Sequence, residues 1–373
     1  MKSCFGNGLG FAYADGTSVD TVFGYSYGAF VAEIAPGEEV GDGVLLGRVT
    51  DDGKITLGEE SVTLGELSPV YENKLESVYR CNIPADDEPE ETFSFRAETR
   101  VAPSVKIARP RVLIPVFPGT NCEYDSAKAV RDAGAEPEIF VVNNRSQKSV
   151  AESVKAFADE IARSQIVFIP GGFSGGDEPD GSGKFITAFF RNAAVRDRVT
   201  ELLERRDGLM LGICNGFQAL IKLGLVPFGK IVDVDETCPT LTFNKIGRHQ
   251  SRIVRTRIAS NKSPWLAETE VGEIYNVPIS HGEGRFLADE ALIRKLAANG
   301  QIATQYVDDL GSATNEIRFN PNGSAFAVEG ITSPDGRVFG KMGHSERYAT
   351  DLYRNVPGNY DIGLFRSAVK YFG

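Results

Sequence analysis

The sequence predicts an α/β protein: a mostly parallel sheet flanked by helices, preceded by a small α+β segment. Three observations carry this. From Arg111 to Cys214, short apolar runs alternate with helix-length segments, the pattern of βαβ units. Residues 1–82 have a different rhythm, with short strands broken by "APGEEVGDG" and "TDDG", both strong turn signals. Between the two lies a stretch dense in charge and proline. A chain of 373 residues holds about two or three domains. The expected division is 1–82, a linker over 83–109, and 110–373.

Taken in order, "GAFVAEI", "VLLGRV" and "KITLG" read as strands, and "LGELSPVYENKLESVY" (64–79) as a helix by its apolar spacing. "RVLIPVF" is a buried strand, "EYDSAKAVRDAG" a helix ending on Gly134, and "EIFVVN" a strand. "SVAESVKAFADEIARS" is a helix and "QIVFIPGG" a strand; "KFITAFFRNAAVRDRVTELLERR" is one long helical pattern, and "GLMLGIC" the next strand. Ligands of such sheets sit beyond the carboxyl ends of the strands.

Composition narrows the partners. The chain is 42% apolar and 24% charged, ordinary for a globular protein, and has no apolar run of membrane-spanning length. Met1 is followed by a glycine-rich polar stretch, unlike a secretory signal. A net charge of −11 without a basic stripe disfavours nucleic acid. Five scattered cysteines without CxxC spacing argue against a disulfide framework or zinc site and favour the reducing cytoplasm. Three histidines leave few metal ligands, and no metal is expected.

The chemistry concentrates at "GICNGFQAL". Its spacing is that of the G-x-S-x-G nucleophile elbow with sulfur for oxygen. A nucleophile on a sharp strand-to-helix turn sits in strained backbone, and side chains two residues either side would collide, hence Gly212 and Gly216. The helix N-terminus is expected to stabilise a Cys214 thiolate, and the Asn215 amide to face a developing oxyanion. A free cysteine is most often a small buried hydrophobe; the flanking glycines count against that here.

A thiol nucleophile needs a base, and the base an orienting group. "KMGHSER" supplies both: His344 and Glu346 share a face in extended backbone. The glycines of "IPGGFSGGDEPDGSGKF" follow a strand and offer free amides to an acyl oxygen. A phosphate loop is the rival, but the G-x-x-x-x-G-K-[ST] order is not met and Asp177, Glu178 and Asp180 would repel phosphate. Cys122 competes as nucleophile, but Glu123 and Asp125 beside it disfavour a thiolate. His281 competes as base and reads instead as a structural histidine near the site; His249 reads as a loop histidine.

Together, Gly171-Gly172, the Cys214 elbow and His344-Ser345-Glu346 resemble the class I, triad-type glutamine amidotransferases, which implies a flavodoxin-like fold. "PVFPGTNCEYD", "PGGFSGGD", "GICNGFQAL", "PISHGEGRF" and "GHSER" resemble, in order, the glutaminase portion of the phosphoribosylformylglycinamidine synthase family over about residues 110–373. Residues 1 to about 80, with "FGNGLG" and "YGAFVAEI", resemble the tail of an aminoimidazole-ribonucleotide-synthetase-like domain. The resemblance implies an enzyme of purine biosynthesis that hydrolyses L-glutamine through a γ-glutamyl thioester. It implies Cys214 as nucleophile, His344 as acid and base, Glu346 as its orienter, and Gly172 and Asn215 as the oxyanion amides. Substrate contacts fall on Gly171, Gln218, Gly247 and Arg248. It implies no cofactor in this chain, ATP and magnesium in the synthetase part, and synthetase domains of the same or another polypeptide as partner. Another cysteine hydrolase of the same superfold (a γ-glutamyl hydrolase or peptidase-like protein) and a non-catalytic regulatory subunit are the alternatives. A nucleotide-binding module is the weakest, since "FGNGLG" follows no strand.

Overall fold

In the computed structural model the chain divides into two compact units, residues 1–82 and 83–373. The structure describes residues 1–38, 41–80, 83–84, 90–174 and 183–373.

The first unit comprises α1 (Lys2–Asn7), β1 (Gly10–Tyr13), α2 (Val19–Phe23), β2 (Gly47–Thr50), β3 (Lys54–Leu57), β4 (Glu60–Thr63) and α3 (Leu64–Glu72). Its sheet runs β2-β1-β3-β4, a small α+β unit as expected. Two local expectations fail. "GAFVAEI" forms no strand; Phe30 is 97% exposed, so nothing rewards its β-propensity with burial. The helix starting after Thr63 opens on a capping box between Thr63 and Glu66 but ends at Glu72, and the chain continues as a single tight turn over Asn73–Leu75.

The second unit contains β5 (Arg111–Val116), α4 (Glu123–Asp132), β6 (Glu136–Val141), α5 (Gln147–Arg163), β7 (Ile166–Ile169), α6 (Lys184–Phe190), α7 (Ala193–Glu204), β8 (Leu209–Ile213) and α8 (Asn215–Leu223). It continues through α9 (Leu225–Phe228), β9 (Thr240–Phe243), β10 (Gln250–Ile258), β11 (Ile274–His281), β12 (Glu283–Leu287), α10 (Glu290–Ala298), β13 (Ile302–Tyr306), β14 (Val328–Thr332), β15 (Val338–Lys341) and α11 (Leu364–Phe372).

Among the described residues one nine-stranded sheet organises this unit, in the order β11-β10-β13-β14-β15-β8-β7-β5-β6. The pairs β6/β5, β5/β7, β7/β8 and β8/β15 are parallel. Counted along the chain these five strands run 2-1-3-4-5, the flavodoxin-like order. From β15 outward the pairing is antiparallel, so the sheet is mixed, its parallel half being the one the sequence predicts. Central strands β7, β8, β13, β14 and β15 are buried at every residue, as strands covered on both faces must be. Edge strand β11 alternates buried and half-buried residues.

The helices cover the sheet with aromatic contacts. Phe157 of α5 meets Phe189 and Phe190 of α6 at 5.5 and 5.6 Å between ring centroids. Phe168 of β7 packs on Phe365 of α11 at 5.5 Å. The long helical pattern over 184–206 breaks in two because Asn192 caps α7, its side chain accepting from the Ala194 amide. Residues expected to be a linker belong to this unit. Phe93 is buried and its amide donates to Gln305 Oε1 at 2.8 Å. The Ile107 amide donates to Phe372 O at 2.7 Å. Charge and proline hide the buried ring of Phe93 from a compositional reading. Among the described residues no helix is long and apolar enough to cross a membrane.

Candidate active site

Four strands of the parallel half release their chains at one edge of the sheet, and the predicted residues stand just beyond these carboxyl ends. Cys122 follows β5, Gly171 and Gly172 follow β7, Cys214 follows β8, and His344 follows β15. Strands β8 and β15 are neighbours in register, with Lys341 opposite Ile213, and the Cys214 amide donates to Lys341 O at 2.9 Å. That pairing brings residues 130 positions apart to one corner.

Cys214 has φ 52° and ψ −106°, a conformation forbidden to most L-residues and found at strained functional turns. A Cβ on Gly212 would stand 2.6 Å from the Gly216 backbone, and one on Gly216 would strike Ile169 O. Both glycines are therefore steric requirements of the bend. The thiol is 4% exposed, and Sγ lies 3.8 Å from Ser280 O.

Electrostatics correct one expectation. Burial pushes the Cys214 thiol up to about 12, helped by the charges of Cys122 and Glu346; Arg347 and the Asn215 amide pull the other way without prevailing. The helix N-terminus contributes as expected, but desolvation outweighs it. Cys214 rests here as a thiol.

His344 is buried, and its Nδ1 lies 2.6 Å from Glu346 Oε1. Burial pushes the Glu346 carboxyl up, but the charge and hydrogen bond of His344, its own backbone and Arg347 bring it below its ordinary range. With Nδ1 committed, Nε2 has no hydrogen-bond partner among the described residues. A Cβ on Gly171 would stand 2.7 Å from His344 Cε1, 3.2 Å from Cys122 Sγ and 3.5 Å from Cys214 Cβ. The His344 ring, the Cys122 sulfur and the Cβ of Cys214 thus all border the bare face of Gly171. Gly172 has φ +145°, and a side chain there would stand 2.6 Å from Thr120 Cα. Asn215 ties elbow to loop, its Oδ1 accepting from the Ser174 amide at 3.2 Å. Gly175, Gly176, Asp177, Glu178 and Asp180 lie outside the described residues.

Cys122 is closer to the chemistry than the sequence suggested. Its Sγ lies 4.0 Å from His344 Nδ1 and accepts from Arg347 Nη2 at 3.1 Å. Ligand-type atoms of Cys122, His344 and Glu346 all fall within 4.8 Å of one another. Burial and Glu346 push this thiol up to about 11, against the pull of Arg347. Arg347 is the residue sequence reasoning passed over, although it ends the "GHSER" motif.

The expected substrate contacts separate. Gln218 accepts from Asn215 Nδ2 at 2.9 Å and donates to Glu283 O at 2.5 Å. These bonds tie Gln218 to the elbow and leave one amide hydrogen and one oxygen lone pair uncommitted. The loop of Gly247 and Arg248 is shaped by buried Asn244, which donates to Arg248 O and His281 O at 3.0 and 2.8 Å. His249 beside it approaches Phe173 at 6.1 Å between rings and bonds Ser280 Oγ at 3.1 Å. Gly247 and Arg248 therefore sit on a loop bordering both the glycine turn and the strand that faces Cys214. His281 is buried against Asn244, and burial, then the charges of His344 and His249, push it down to about 3.

The chain is 36% identical over 284 residues to the phosphoribosylformylglycinamidine synthase subunit PurQ of Methanococcus maripaludis, covering 70% of this chain and 97% of that protein. To the protein of the same name from Treponema denticola it is 37% identical over 251 residues, covering 64% and 88%. Its structure is similar to a chain in the structure of PurLQS from Thermotoga maritima, with a TM-score of 0.52 and 26% identity over 71% of this chain and 100% of that one. The sequence model of the CobB/CobQ-like glutamine amidotransferase domain matches residues 109–372. With more than half of its length inside that match, the chain belongs to the CobB/CobQ-like glutamine amidotransferase family.

Proposed function

We infer that this chain is the glutaminase part of phosphoribosylformylglycinamidine synthase, hydrolysing glutamine to glutamate and ammonia for purine biosynthesis. The observation that carries the reading is the meeting of a strained cysteine and a carboxylate-held histidine at Gly171.

Because Cys214 rests as a thiol, its proton leaves as the sulfur attacks, and His344 Nε2 receives it. Attack on the side-chain amide carbon of glutamine gives a tetrahedral oxyanion facing the Gly172 and Asn215 amides. Collapse breaks the C–N bond; His344 returns the proton to the leaving nitrogen and ammonia departs. His344 then takes a proton from water, which attacks the γ-glutamyl thioester and frees glutamate and the thiol. Glu346 holds the tautomer that leaves Nε2 available throughout. Gly171 leaves room for the substrate, and the loop of Gly247 and Arg248 receives its amino-acid end. These steps use no cofactor from this chain. Ammonia passes to a synthetase portion, where ATP and magnesium drive amidine formation. Residues 1–82 resemble the tail of an aminoimidazole-ribonucleotide-synthetase-like domain, the synthetase portion lies on the same or a partner polypeptide, and the free cysteines among the described residues suit the cytoplasm.

Ammonia release from glutamine tests the assignment. Cys214→Ser is expected to lose at least about 10³-fold in kcat; ammonia release equal to that of the wild type would remove Cys214 from the mechanism.

A further inference from the structure

Lys341 and Glu329 form an ion pair that the chemistry above does not use. It lies at the centre of the sheet, with 1% and 0% of the two side chains exposed and Nζ 3.2 Å from Oε1. Lys341 ends β15, and Glu329 lies on adjacent β14. A buried pair of this kind is seldom more stabilising than apolar residues of equal volume, so its remaining partners are informative.

Those partners flank His344. Lys341 Nζ donates to Gly343 O at 3.1 Å and to Ser345 Oγ at 3.0 Å. Glu329 Oε1 accepts from the Gly343 amide at 2.6 Å, and Oε2 accepts from Thr304 Oγ1 on β13. The three ammonium protons thus have three acceptors. Both backbone polar groups of Gly343 and the hydroxyl of Ser345 are fixed by one pair of charges. Position 343 is closed as well: a Cβ there would stand 2.7 Å from both methyls of Val277 and 2.9 Å from Glu329 Oε1. Between these anchors the His344 amide donates to Pro278 O at 2.9 Å.

We propose that Lys341, paired with Glu329, is a positioning residue that holds the Gly343–Ser345 turn so that His344 presents its ring to Cys214. This rests on His344 being the acid and base of the reaction. The pair acts through the backbone on either side of His344 and does not touch substrate.

The test uses the full chain with three variants. Lys341→Met strands a buried carboxylate and is expected to lower Tm. The double variant Lys341→Met/Glu329→Gln keeps an acceptor for the Gly343 amide and removes both charges, so Tm stays near wild type. Glu329→Gln alone is intermediate. In the double variant kcat for ammonia release is expected to fall about 10–100-fold, with KM for glutamine within about 3-fold, as loss of alignment predicts. The downfield proton resonance of the His344–Glu346 hydrogen bond, assigned by its loss in His344→Gln, is expected to broaden or shift in parallel. A double variant with wild-type kcat and an unchanged resonance would overturn the proposal. So would a kcat loss that merely follows Tm across the three variants. If Cys214→Ser retains ammonia release, the reading of the site fails instead, and the resonance still judges whether the pair positions His344.

Discussion

At Cys214 two demands oppose each other: the elbow presents the sulfur to the loop ends, while burial withholds its charge. The consequence is measurable. Alkylation of Cys214 by iodoacetamide, read by mass spectrometry, should be slow at pH 7 and climb with pH towards about 12, following the thiolate. A plateau below pH 8 would show a thiolate already formed. His281 makes a second prediction. The fold accepts only its neutral ring, held down to about 3, whereas in the unfolded chain it titrates near 6.5. Below pH 6.5 protons bind the unfolded chain more readily, so stability falls as pH drops from 6.5 towards 3. At pH 5 this is about 2 kcal/mol, and His281→Gln should flatten the decline of Tm between pH 7 and 5 by a matching amount. Gly171→Ala tests the crowding at the centre. The added methyl meets His344 Cε1, so kcat should fall by at least about 10-fold while Tm changes little.

At the level of elements, what sequence makes legible is whatever its chemistry punishes locally. Gly212 and Gly216 mark a bend because any side chain there collides, and α3 is announced by apolar residues recurring at three and four. Parallel strands β5, β7 and β8 were legible as continuous apolar runs. The antiparallel half was not: β10 and β11 carry arginines, serines and an asparagine at their half-buried or exposed positions, and their pairing depends on partners distant in sequence. Lys341 and Arg347 were invisible for a related reason, since a charge in a motif looks like surface until its acceptors are placed around it. Helical spacing puts Gln218 beside Cys214 but does not say which way its amide is spent, here on Asn215 and Glu283 O. Gly216→Ala should therefore act on the fold, costing on the order of 1–3 kcal/mol in denaturant unfolding, where Gly171→Ala acts on the rate.

Considered as a whole molecule, the hydrophobic core that supports the site lies entirely between Phe93 and Phe372. A chain beginning at Ile83 is thus expected to fold alone, with a cooperative melt and unchanged reactivity at Cys214. One beginning at Arg111 should be less stable. It loses the burial of Phe93, worth about 1.5–3 kcal/mol, and leaves Arg257 without Phe93 O and Ser94 Oγ, which it now meets at 2.6 and 2.8 Å. Equal melting temperatures for the two truncations would show that residues 83–110 contribute nothing to the unit. Residues 83–109, read as a linker from their charge and proline, fall within the larger unit, where the buried ring of Phe93 is hidden from a compositional reading by the charges around it.

The central claim is that the sulfur of Cys214, and not that of Cys122, carries the acyl group. Acid-quenching the protein during turnover of isotopically labelled glutamine, then mapping the γ-glutamyl adduct by mass spectrometry, tests this most directly. The adduct should appear on the tryptic peptide spanning residues 207–222 and vanish in Cys214→Ser. An adduct on the peptide spanning residues 112–128, which contains Cys122, would contradict the account.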